Sequence, residues 1–431
     1  MVVIVGAGLA GLSTAYHLGN RPHRVFEKEQ EPGGLCRSYQ LDGFTFDMTG
    51  HLLHFRHEGV KELVERLLPG RLQRHNRRSF IYSHHVYTEY PFQVNTFGLP
   101  PAVIRECLMG FLATLTKPAS DPPPPDRSFQ QWILDNLGEG MARHFMVPFN
   151  EKLWQVSLEE LTSDWVSWLV PKPDVKDVIN GALGIKDKAF GYNPTFLYPA
   201  EGGIAILPNA LASAVPGIAY GRELIEVDTG RRRATFQDGT VVDYDTLVST
   251  IPVPELVRRC TDLPAAIREA AERLRCVSVY NVNLGVGRER VSDKHWIYFP
   301  EKDYPFYRAG FPMNFSPASG RPGTSSLYVE LSHQPHQHTP APEVIRHVRE
   351  GLERAGILKG GDEIVVADVR DIRYAYVLFD RHRATALPAI LAEFERRGIQ
   401  SIGRYGRWEH TSMEDAMRQG MQLAQRLRGD A

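Results

Sequence analysis

Three glycines near the start of the chain have the spacing of a loop that binds nucleotide phosphates. Gly6, Gly8 and Gly11 form a GxGxxG sequence directly after the apolar run VVIV and before the helix-like segment LSTAYHL. The first glycine permits a tight turn, the second lets a pyrophosphate approach the backbone, and the third lets the helix pack closely on the strand. Because the N-terminus of the helix then points its N–H groups at the phosphates, the pattern predicts a dinucleotide site.

A carboxylate in the next predicted strand narrows the identity of the ligand. The segment HRVFEKE places Glu27 16 positions after Gly11 and is followed by EPGGLCRS, which supplies Gly34 and Arg37. Glu27 can accept hydrogen bonds from the adenosine ribose and would repel a 2′-phosphate, which disfavours NADP. The GG…R element resembles one in FAD proteins of the glutathione-reductase and amine-oxidase type, where the arginine approaches the pyrophosphate. We therefore expect FAD rather than NAD, with Lys28 beside the same site.

The composition excludes several classes of partner. The 431 residues carry a formal net charge of −1, which argues against a nucleic-acid partner. Four scattered cysteines without a CxxC pair indicate a reducing compartment, and a strand that begins at residue 2 leaves no room for a signal peptide, so we expect a cytoplasmic protein. No apolar run approaches the length of a membrane span and no Cys/His cluster has metal-ligand spacing, so neither a transmembrane segment nor a metal site is predicted.

The remaining patterns predict the elements that must position the dinucleotide. The segment ELIEVDTGRRRATFQDGTVVDY predicts a three-stranded meander that, in FAD proteins of this type, returns to the adenine side, with Val227 as the contact. A proline-rich break, KPASDPPPPDRS, interrupts a mostly helical stretch and predicts an exposed linker. We predict an α/β fold with a discontinuous Rossmann-like FAD-binding domain of the GR2 type, a helical insertion and a second, mixed or antiparallel sheet domain that covers the flavin. The predicted bounds are 1–60, 200–255 and 395–431 for the FAD domain, 99–195 for the helical insertion, and 61–98 with 270–394 for the sheet domain.

Five distant segments together resemble one family, the UDP-galactopyranose mutases, and its eukaryotic-type branch most of all. This family lies within the FAD-dependent amine oxidase and protoporphyrinogen oxidase-like superfamily. The resemblance runs in order along nearly the whole chain, and the fourth segment is the most specific. The segments are FDMTGHLLHF (46–55), FMVPFNEKLW (145–154), FLYPAEGG (196–203), HWIYFPEKDYPFYRAG (295–310) and GRYGRWEHTSMEDAMRQG (403–420).

The resemblance implies an unusual use of FAD. In this family the N5 atom of reduced flavin attacks the anomeric carbon of a nucleotide-linked sugar, and the sugar interconverts between pyranose and furanose forms without net redox. The implied partner is a small molecule, a nucleotide sugar, and NAD(P)H is a candidate electron donor. A homo-oligomer is left open.

The same resemblance assigns roles to individual positions. An aromatic residue at helical spacing can equally be a core residue, and that alternative applies to Trp154. The implied catalytic residues are His51, Tyr298 and Arg308. The implied substrate-binding residues are Asn150, Trp154, Tyr376 and His410. Further implied FAD contacts are Gly50, Arg404, Glu414 and Asp415.

Two positions depart from the family pattern. Leu169 stands where the family has a second diphosphate arginine, and His410 stands where it has a second tyrosine. A hydrogen bond to a charged group contributes about 1.5–3 kcal/mol, so another cation would have to compensate, and Lys172, Arg373 and Arg381 are candidates from sequence proximity. Two other hypotheses therefore stand beside the mutase. One is an FAD oxidoreductase (an oxidase, dehydrogenase or desaturase) acting on a substrate without a nucleotide, and the other is a flavin-binding protein without catalysis.

Overall fold

The computed structural model describes residues 1–116, 127–166, 170, 172–186 and 194–429. Within these ranges the strands, numbered in chain order, are β1 Val2–Val5, β2 His23–Phe26, β3 Ser38–Leu41, β4 Phe44–Asp47, β5 Leu72–Asn76, β6 Ser79–Ser83, β7 Val86–Glu89, β8 Thr195–Pro199, β9 Ile218–Ala219, β10 Leu224–Asp228, β11 Arg233–Phe236, β12 Val241–Asp243, β13 Thr246–Ser249, β14 Cys276–Val286, β15 Trp296–Tyr298, β16 Arg308–Gly310, β17 Ser325–His333, β18 Ile364–Val377 and β19 Ile399–Ser401.

The α-helices of the same ranges complete the elements, and none of them is long and apolar enough to span a bilayer. They are α1 Leu9–Leu18, α2 Glu58–Leu67, α3 Pro101–Leu115, α4 Phe129–Asn136, α5 Gly138–Met141, α6 Val147–Trp154, α7 Val175–Leu183, α8 Ile206–Ser213, α9 Val253–Arg259, α10 Ala265–Glu272, α11 Ala341–Arg354, α12 Arg381–Arg396, α13 Gly403–Gly406 and α14 Met413–Arg428.

A five-stranded parallel sheet forms the nucleotide side of the molecule. Its order is β19-β13-β1-β2-β9, so segments from the beginning, the middle and the end of the chain lie side by side. All four residues of β1 are buried, as expected for a central parallel strand covered on both faces, and this burial explains the uninterrupted apolar run VVIV. A separate mixed sheet accompanies it, so the predicted α/β fold class is confirmed.

The C-terminal helix closes over the first helix of this unit. A Cβ atom added to Gly420 in α14 would lie 2.7 Å from the backbone nitrogen of Thr14 in α1, so only glycine allows this close approach. The Ser13 hydroxyl donates to the carbonyl of Met417 at 2.6 Å. The end of the chain therefore fixes the helix whose N-terminus follows the glycine loop.

The second sheet has seven strands in the order β18-β14-β17-β16-β15-β6-β7. Its one parallel pair joins β15 to β6, and the other neighbours are antiparallel. The apolar side chains of β14, such as Val282 and Leu284, share a core with Val348 and Leu352 of α11. The residues in between are polar and form a row across the strands. From β18 to β15 this row is Arg370, Asn281, Glu330, Arg308 and Tyr298.

Two smaller elements pack against the parallel-sheet unit. The predicted meander is confirmed as the antiparallel strands β10, β11 and β12, and Phe236 of this unit stacks on Phe26 of β2 with ring centroids 4.0 Å apart. Helix α2 begins in the range predicted for the FAD domain and continues into the range predicted for the sheet domain, and its Val60 and Leu63 share a core with β1 and α1. Residues 117–126 of the proline-rich break lie outside the described residues.

Candidate flavin and substrate site

The glycine loop has the geometry of a phosphate cradle. Gly6 has φ of +99°, and a Cβ atom there would overlap the Thr250 side chain. A Cβ atom on Gly11 would overlap the carbonyl of Gly6, whereas one on Gly8 would meet nothing within 4 Å. Gly8 is also the N-cap of α1, and no side chain caps the free N–H groups there. The two outer glycines therefore shape the turn, and the middle glycine leaves an open approach to the helix N-terminus.

Glu27 and the GG…R element complete this cradle. The buried Glu27 carboxylate accepts the N–H of Ala7 at 2.6 Å and that of Glu29 at 3.0 Å, and each oxygen keeps a lone pair for a ribose hydroxyl. Gly34 has φ of +59°, and a Cβ atom on it would lie 3.7 Å from the Cα atom of Gly8. The Arg37 guanidinium donates to the Gly34 carbonyl at 2.8 Å. These residues fit the pyrophosphate and ribose of FAD.

Two residues that were predicted to contact FAD, Lys28 and Val227, contact protein groups in the structure. Lys28 is exposed and forms an ion pair with Glu29 at 3.5 Å. Val227 is fully buried in β10, where its carbonyl accepts the N–H of Thr261 at 3.0 Å, so this group is already bonded within the protein. The backbone that runs beside Glu27 instead belongs to 219–222, because the Arg222 N–H donates to the Glu27 carbonyl at 2.8 Å.

A glycine–histidine loop follows β4 and packs against the polar face of the second sheet. A Cβ atom on Gly50 would lie 2.6 Å from the hydroxyl of Tyr328, so the loop backbone approaches the sheet closely. His51 Nδ1 lies 3.1 Å from the carbonyl of Thr49, to which it donates. Burial lowers the pKa of His51 to about 4, so the ring is neutral at physiological pH and its Nε2 atom is a hydrogen-bond acceptor.

Arg308 forms a buried ion pair on the same face. Its guanidinium donates to both oxygens of Glu330, at 2.8 and 2.6 Å, and the Glu330 side chain is only 1% exposed. Tyr298 is the cross-strand neighbour of Arg308, and its ring lies 5.0 Å from that of Tyr90 and 5.5 Å from that of Phe149. The bidentate contact orients Arg308 and neutralises its charge.

Next to this pair lies an aromatic cluster formed by Trp154, Trp165, Tyr376, Phe379 and His410. The Trp154 ring lies 5.2 Å from His410 and 5.8 Å from Tyr376, and its indole N–H donates to Asn150 at 3.2 Å. His410 stacks on Phe379 at 5.0 Å. The four residues predicted to bind substrate are thus brought together.

Arg404 joins the aromatic cluster, although the sequence assigned it to FAD. Its guanidinium donates to the carbonyls of Thr411 and Ala375 at 3.0 and 3.3 Å and to His410 Nδ1 at 3.1 Å. Within the described part of the chain it has no ion pair with a carboxylate. Burial and then the charge of Arg404 lower the pKa of His410 well below its usual value, so His410 is neutral. Arg404 therefore contributes an uncompensated positive charge beside Tyr376.

The other predicted C-terminal contacts, Glu414 and Asp415, bind protein groups. Glu414 accepts the N–H groups of Arg56 and His57, both at 2.7 Å, and Asp415 forms a capping box with Ser412 at the start of α14. The ligand atoms of His57, Glu414 and Asp415 lie within 4.8 Å of one another. The Arg56 guanidinium already pairs with Asp415 at 3.0 Å and lies 3.6 Å from Glu414, so a side chain supplies the positive charge there.

The residues considered as substitute cations lie outside the aromatic cluster. Leu169 is among the residues that are not described. Lys172, Arg373 and Arg381 are all exposed. A different arginine is closer: the Arg383 guanidinium lies 4.0 Å from the centroid of Phe379 and donates to the carbonyl of Trp408 at 2.8 Å. The sequence signal for it, an arginine on a capped helix, was too common to single it out.

Comparison with known proteins identifies the family. The profile of the flavin-containing amine oxidoreductases matches residues 9–428, so the chain belongs to this family. Its fold is similar to a crystal structure of reduced UDP-galactopyranose mutase, with a TM-score of 0.94 and 27% identity over 100% of this chain and 94% of that chain. It is also similar to a structure from Exiguobacterium sp. 255-15, provisionally named protoporphyrinogen oxidase, with a TM-score of 0.77 and 17% identity over 100% and 99% of the two chains.

One curated relative shares a short segment. Zeta-carotene-forming phytoene desaturase of Myxococcus xanthus is 49% identical over 49 residues, which cover 11% of this chain and 10% of the desaturase. Because most of the desaturase is not matched, this similarity supports a shared local element alone. The protein is thus an FAD flavoprotein of the flavin-containing amine oxidoreductase family, and its fold is similar to that of a UDP-galactopyranose mutase.

Proposed function

We propose that this protein is a mutase-like flavoenzyme that interconverts the pyranose and furanose forms of a nucleotide-linked sugar. The observation that supports it most is the charge of Arg404 in the aromatic cluster, where the guanidinium lies 5.7 Å from the centroid of the Tyr376 ring and has no carboxylate partner among the described residues. A half-buried cation without a carboxylate partner favours an anionic ligand, and a nucleoside diphosphate is such an anion. When bound, reduced FAD would supply a nucleophilic N5 atom to the anomeric carbon of the sugar.

The chain's own residues would bind and orient the substrate. Arg404 and Tyr376 are suited to hold the departing diphosphate, and the Tyr307 hydroxyl lies 3.4 Å from that of Tyr376. Charge that develops on a leaving phosphate is stabilised most by donors that are fixed before the reaction, and the carbonyl contacts of Arg404 fix its guanidinium. Trp154 offers an aromatic surface to the sugar or the base. Neutral His51, held by Thr49, accepts a hydrogen bond on the flavin side.

The test is a comparison of redox states. Purified, FAD-loaded enzyme is incubated with UDP-, dTDP- and GDP-linked sugars, once oxidised and once reduced with dithionite, and products are separated by chromatography. We expect isomerisation of at least one UDP-sugar by the reduced enzyme only. Turnover by the fully oxidised enzyme, or no reaction and no nucleotide binding across the panel, would contradict the proposal.

A second candidate is an FAD oxidoreductase that acts on a substrate without a nucleotide. It is favoured by membership of the amine oxidoreductase family and by His410, which replaces a hydroxyl with a ring that burial keeps neutral. This candidate predicts that an organic substrate bleaches the flavin in a one-to-one ratio under anaerobic conditions.

Use of NAD(P)H as the donor that maintains reduced flavin is part of the mutase proposal, and a stopped-flow reduction assay tests it.

A further inference from the structure

Lys152 lies between the two substrate-side residues of α6 and points to a different part of the molecule. Asn150 and Trp154 contact each other on the side of the aromatic cluster. The Lys152 ammonium instead donates to three backbone carbonyls of the second sheet domain. These are the carbonyls of Phe299 at 2.8 Å, Phe306 at 3.3 Å and Glu301.

The three carbonyls belong to the turn that joins β15 to β16. Tyr298 is the last residue of β15 and Arg308 is the first residue of β16, so the turn carries a candidate catalytic residue at each end. The turn is closed by the N–H of Phe299, which donates to the carbonyl of Tyr307 at 3.0 Å. Lys152 thus joins the helix that carries Asn150 and Trp154 to the turn that separates Tyr298 from Arg308.

The contact uses the full donor capacity of the ammonium group. A lysine ammonium has three N–H donors, and the three carbonyls accept all of them. Burial lowers the pKa of Lys152 to about 7, and the carboxylates of Glu301 and Asp303 oppose this shift through space, yet Lys152 forms no ion pair with a carboxylate in the ranges that the structure describes. A half-buried amine held by carbonyls alone adds little stability compared with an apolar side chain of the same length, so its value lies in fixing geometry.

We propose that Lys152 is a positioning residue that fixes the β15–β16 turn, and with it Tyr298 and Arg308, relative to α6. The roles of Tyr298 and Arg308 rest on the proposed function. The contact itself does not, because it links two segments of the protein whatever the substrate is. Its loss should loosen the turn and change the surroundings of the flavin without removing FAD.

The experiment compares FAD-loaded wild type, Lys152→Met and Lys61→Met by hydrogen exchange and mass spectrometry. Lys61 is a matched control, since it is a helical lysine whose ammonium group contacts an exposed carboxylate, that of Glu58, at 2.9 Å. We expect the amides of 299–308 to exchange about tenfold faster in Lys152→Met, while β14 and the control stay unchanged. Lys152→Arg, which keeps a cation with several donors, should restore part of the protection and remains informative if Lys152→Met folds poorly. If the amides of 299–308 exchange at the wild-type rate in both Lys152 variants, the proposal that Lys152 fixes this turn is wrong.

The midpoint potential of the bound FAD distinguishes a positioning role of Lys152 from a role in stability alone. We expect it to differ between Lys152→Met and wild type by more than it differs between Lys61→Met and wild type. Faster exchange of the turn with an unchanged potential would overturn the positioning role. Both measurements are made without a sugar substrate, so an inactive wild type in the sugar panel would refute the proposed function alone.

Discussion

The phosphate cradle and the aromatic cluster position their groups in different ways. The cradle is built from residues 6–37, and its shape depends on three glycines: Gly6 and Gly11 make room for neighbouring protein atoms, and Gly8 leaves an open approach. The aromatic cluster is assembled from α6, β18 and the C-terminal segment, and it depends on side chains and their charges. One region therefore depends on backbone shape. The other depends on aromatic rings and on guanidinium groups, such as that of Arg404, that have no carboxylate partner among the described residues.

Two arginines on the aromatic-cluster side, Arg308 and Arg404, differ in whether their charge is compensated. Arg308 shares both of its contacts with Glu330 and carries no net charge into the site. Arg404 contacts carbonyls and a neutral imidazole, so its charge remains available to a ligand. Residue type alone does not show whether the charge of an arginine is compensated, whereas the partner of each guanidinium does.

The largest effect is expected in the cradle. Gly11→Ala places a methyl group on the carbonyl of Gly6, so we expect loss of FAD and destabilisation of more than about 4 kcal/mol. Gly8→Ala meets no protein atom within 4 Å, so the apoprotein should keep its stability while FAD affinity falls. Flavin content and thermal unfolding of both apoproteins measure this. Equal destabilisation by the two variants would show that the cradle is not shaped as described.

Breaking the Arg308–Glu330 pair should have the next largest effect. Glu330→Gln leaves a guanidinium without its counter-charge in a buried position, and we expect a loss of about 3–5 kcal/mol in the free energy of unfolding. The double variant Glu330→Gln, Arg308→Met removes both charges and should recover part of that loss. Chemical denaturation of the holoproteins measures both, and a single variant as stable as wild type would contradict a compensated Arg308.

The pH dependence of stability tests the burial of two histidines. These are His51 of the glycine–histidine loop and His295, which directly precedes β15 and accepts the N–H of Arg78 at 3.2 Å. Burial lowers the pKa of His51 and of His295 to about 4 in the folded protein, while an unfolded histidine titrates near 6.5. The contribution of each neutral ring is therefore complete above about pH 6.5 and is lost as the pH falls toward 4, with an upper value on the order of 3 kcal/mol.

Urea denaturation between pH 7.5 and 4.5 measures this loss. His295→Gln is the informative variant, because its amide can still accept the N–H of Arg78 but does not titrate. We expect a shallower fall of the unfolding free energy with decreasing pH in this variant. A fall as steep as that of wild type would show that His295 is not a source of the pH dependence.

The smallest effect is expected for Arg404, whose substitution distinguishes substrate binding from FAD binding. Arg404→Met should weaken UDP binding by about 1.5–3 kcal/mol, or roughly 10- to 150-fold, while FAD content stays the same. Arg373→Met, an exposed arginine of β18, serves as the control and should bind UDP like wild type. Isothermal titration and the flavin absorbance measure the two ligands separately. Loss of FAD with unchanged UDP affinity would return Arg404 to the cofactor role that the sequence predicted.

The sequence predicted local features well because their determinants are local. The strand, the GxGxxG turn and α1 depend on residues within a few positions of one another, and the structure has all three in the expected order. Glu330 and Lys152 were missed because their partners lie far along the chain and no spacing rule connects them. Glu330 carried a usable signal, since it is a charged residue in the middle of the buried strand SSLYVELSH. Val227 was predicted to contact FAD and lies in β10, which begins at Leu224. No local sequence pattern distinguishes a strand residue whose backbone is bonded within the protein from one whose backbone faces a ligand.

The central claim is that the flavin serves the reaction without consuming electrons. The direct measurement counts turnovers per electron pair: enzyme receives one equivalent of dithionite without oxygen, then a UDP-sugar, while product and flavin absorbance are followed together. We predict many product molecules per reduced flavin, with the flavin spectrum still reduced at the end. One product molecule per flavin, or reoxidation that keeps pace with product, would contradict the mutase proposal and support the oxidoreductase.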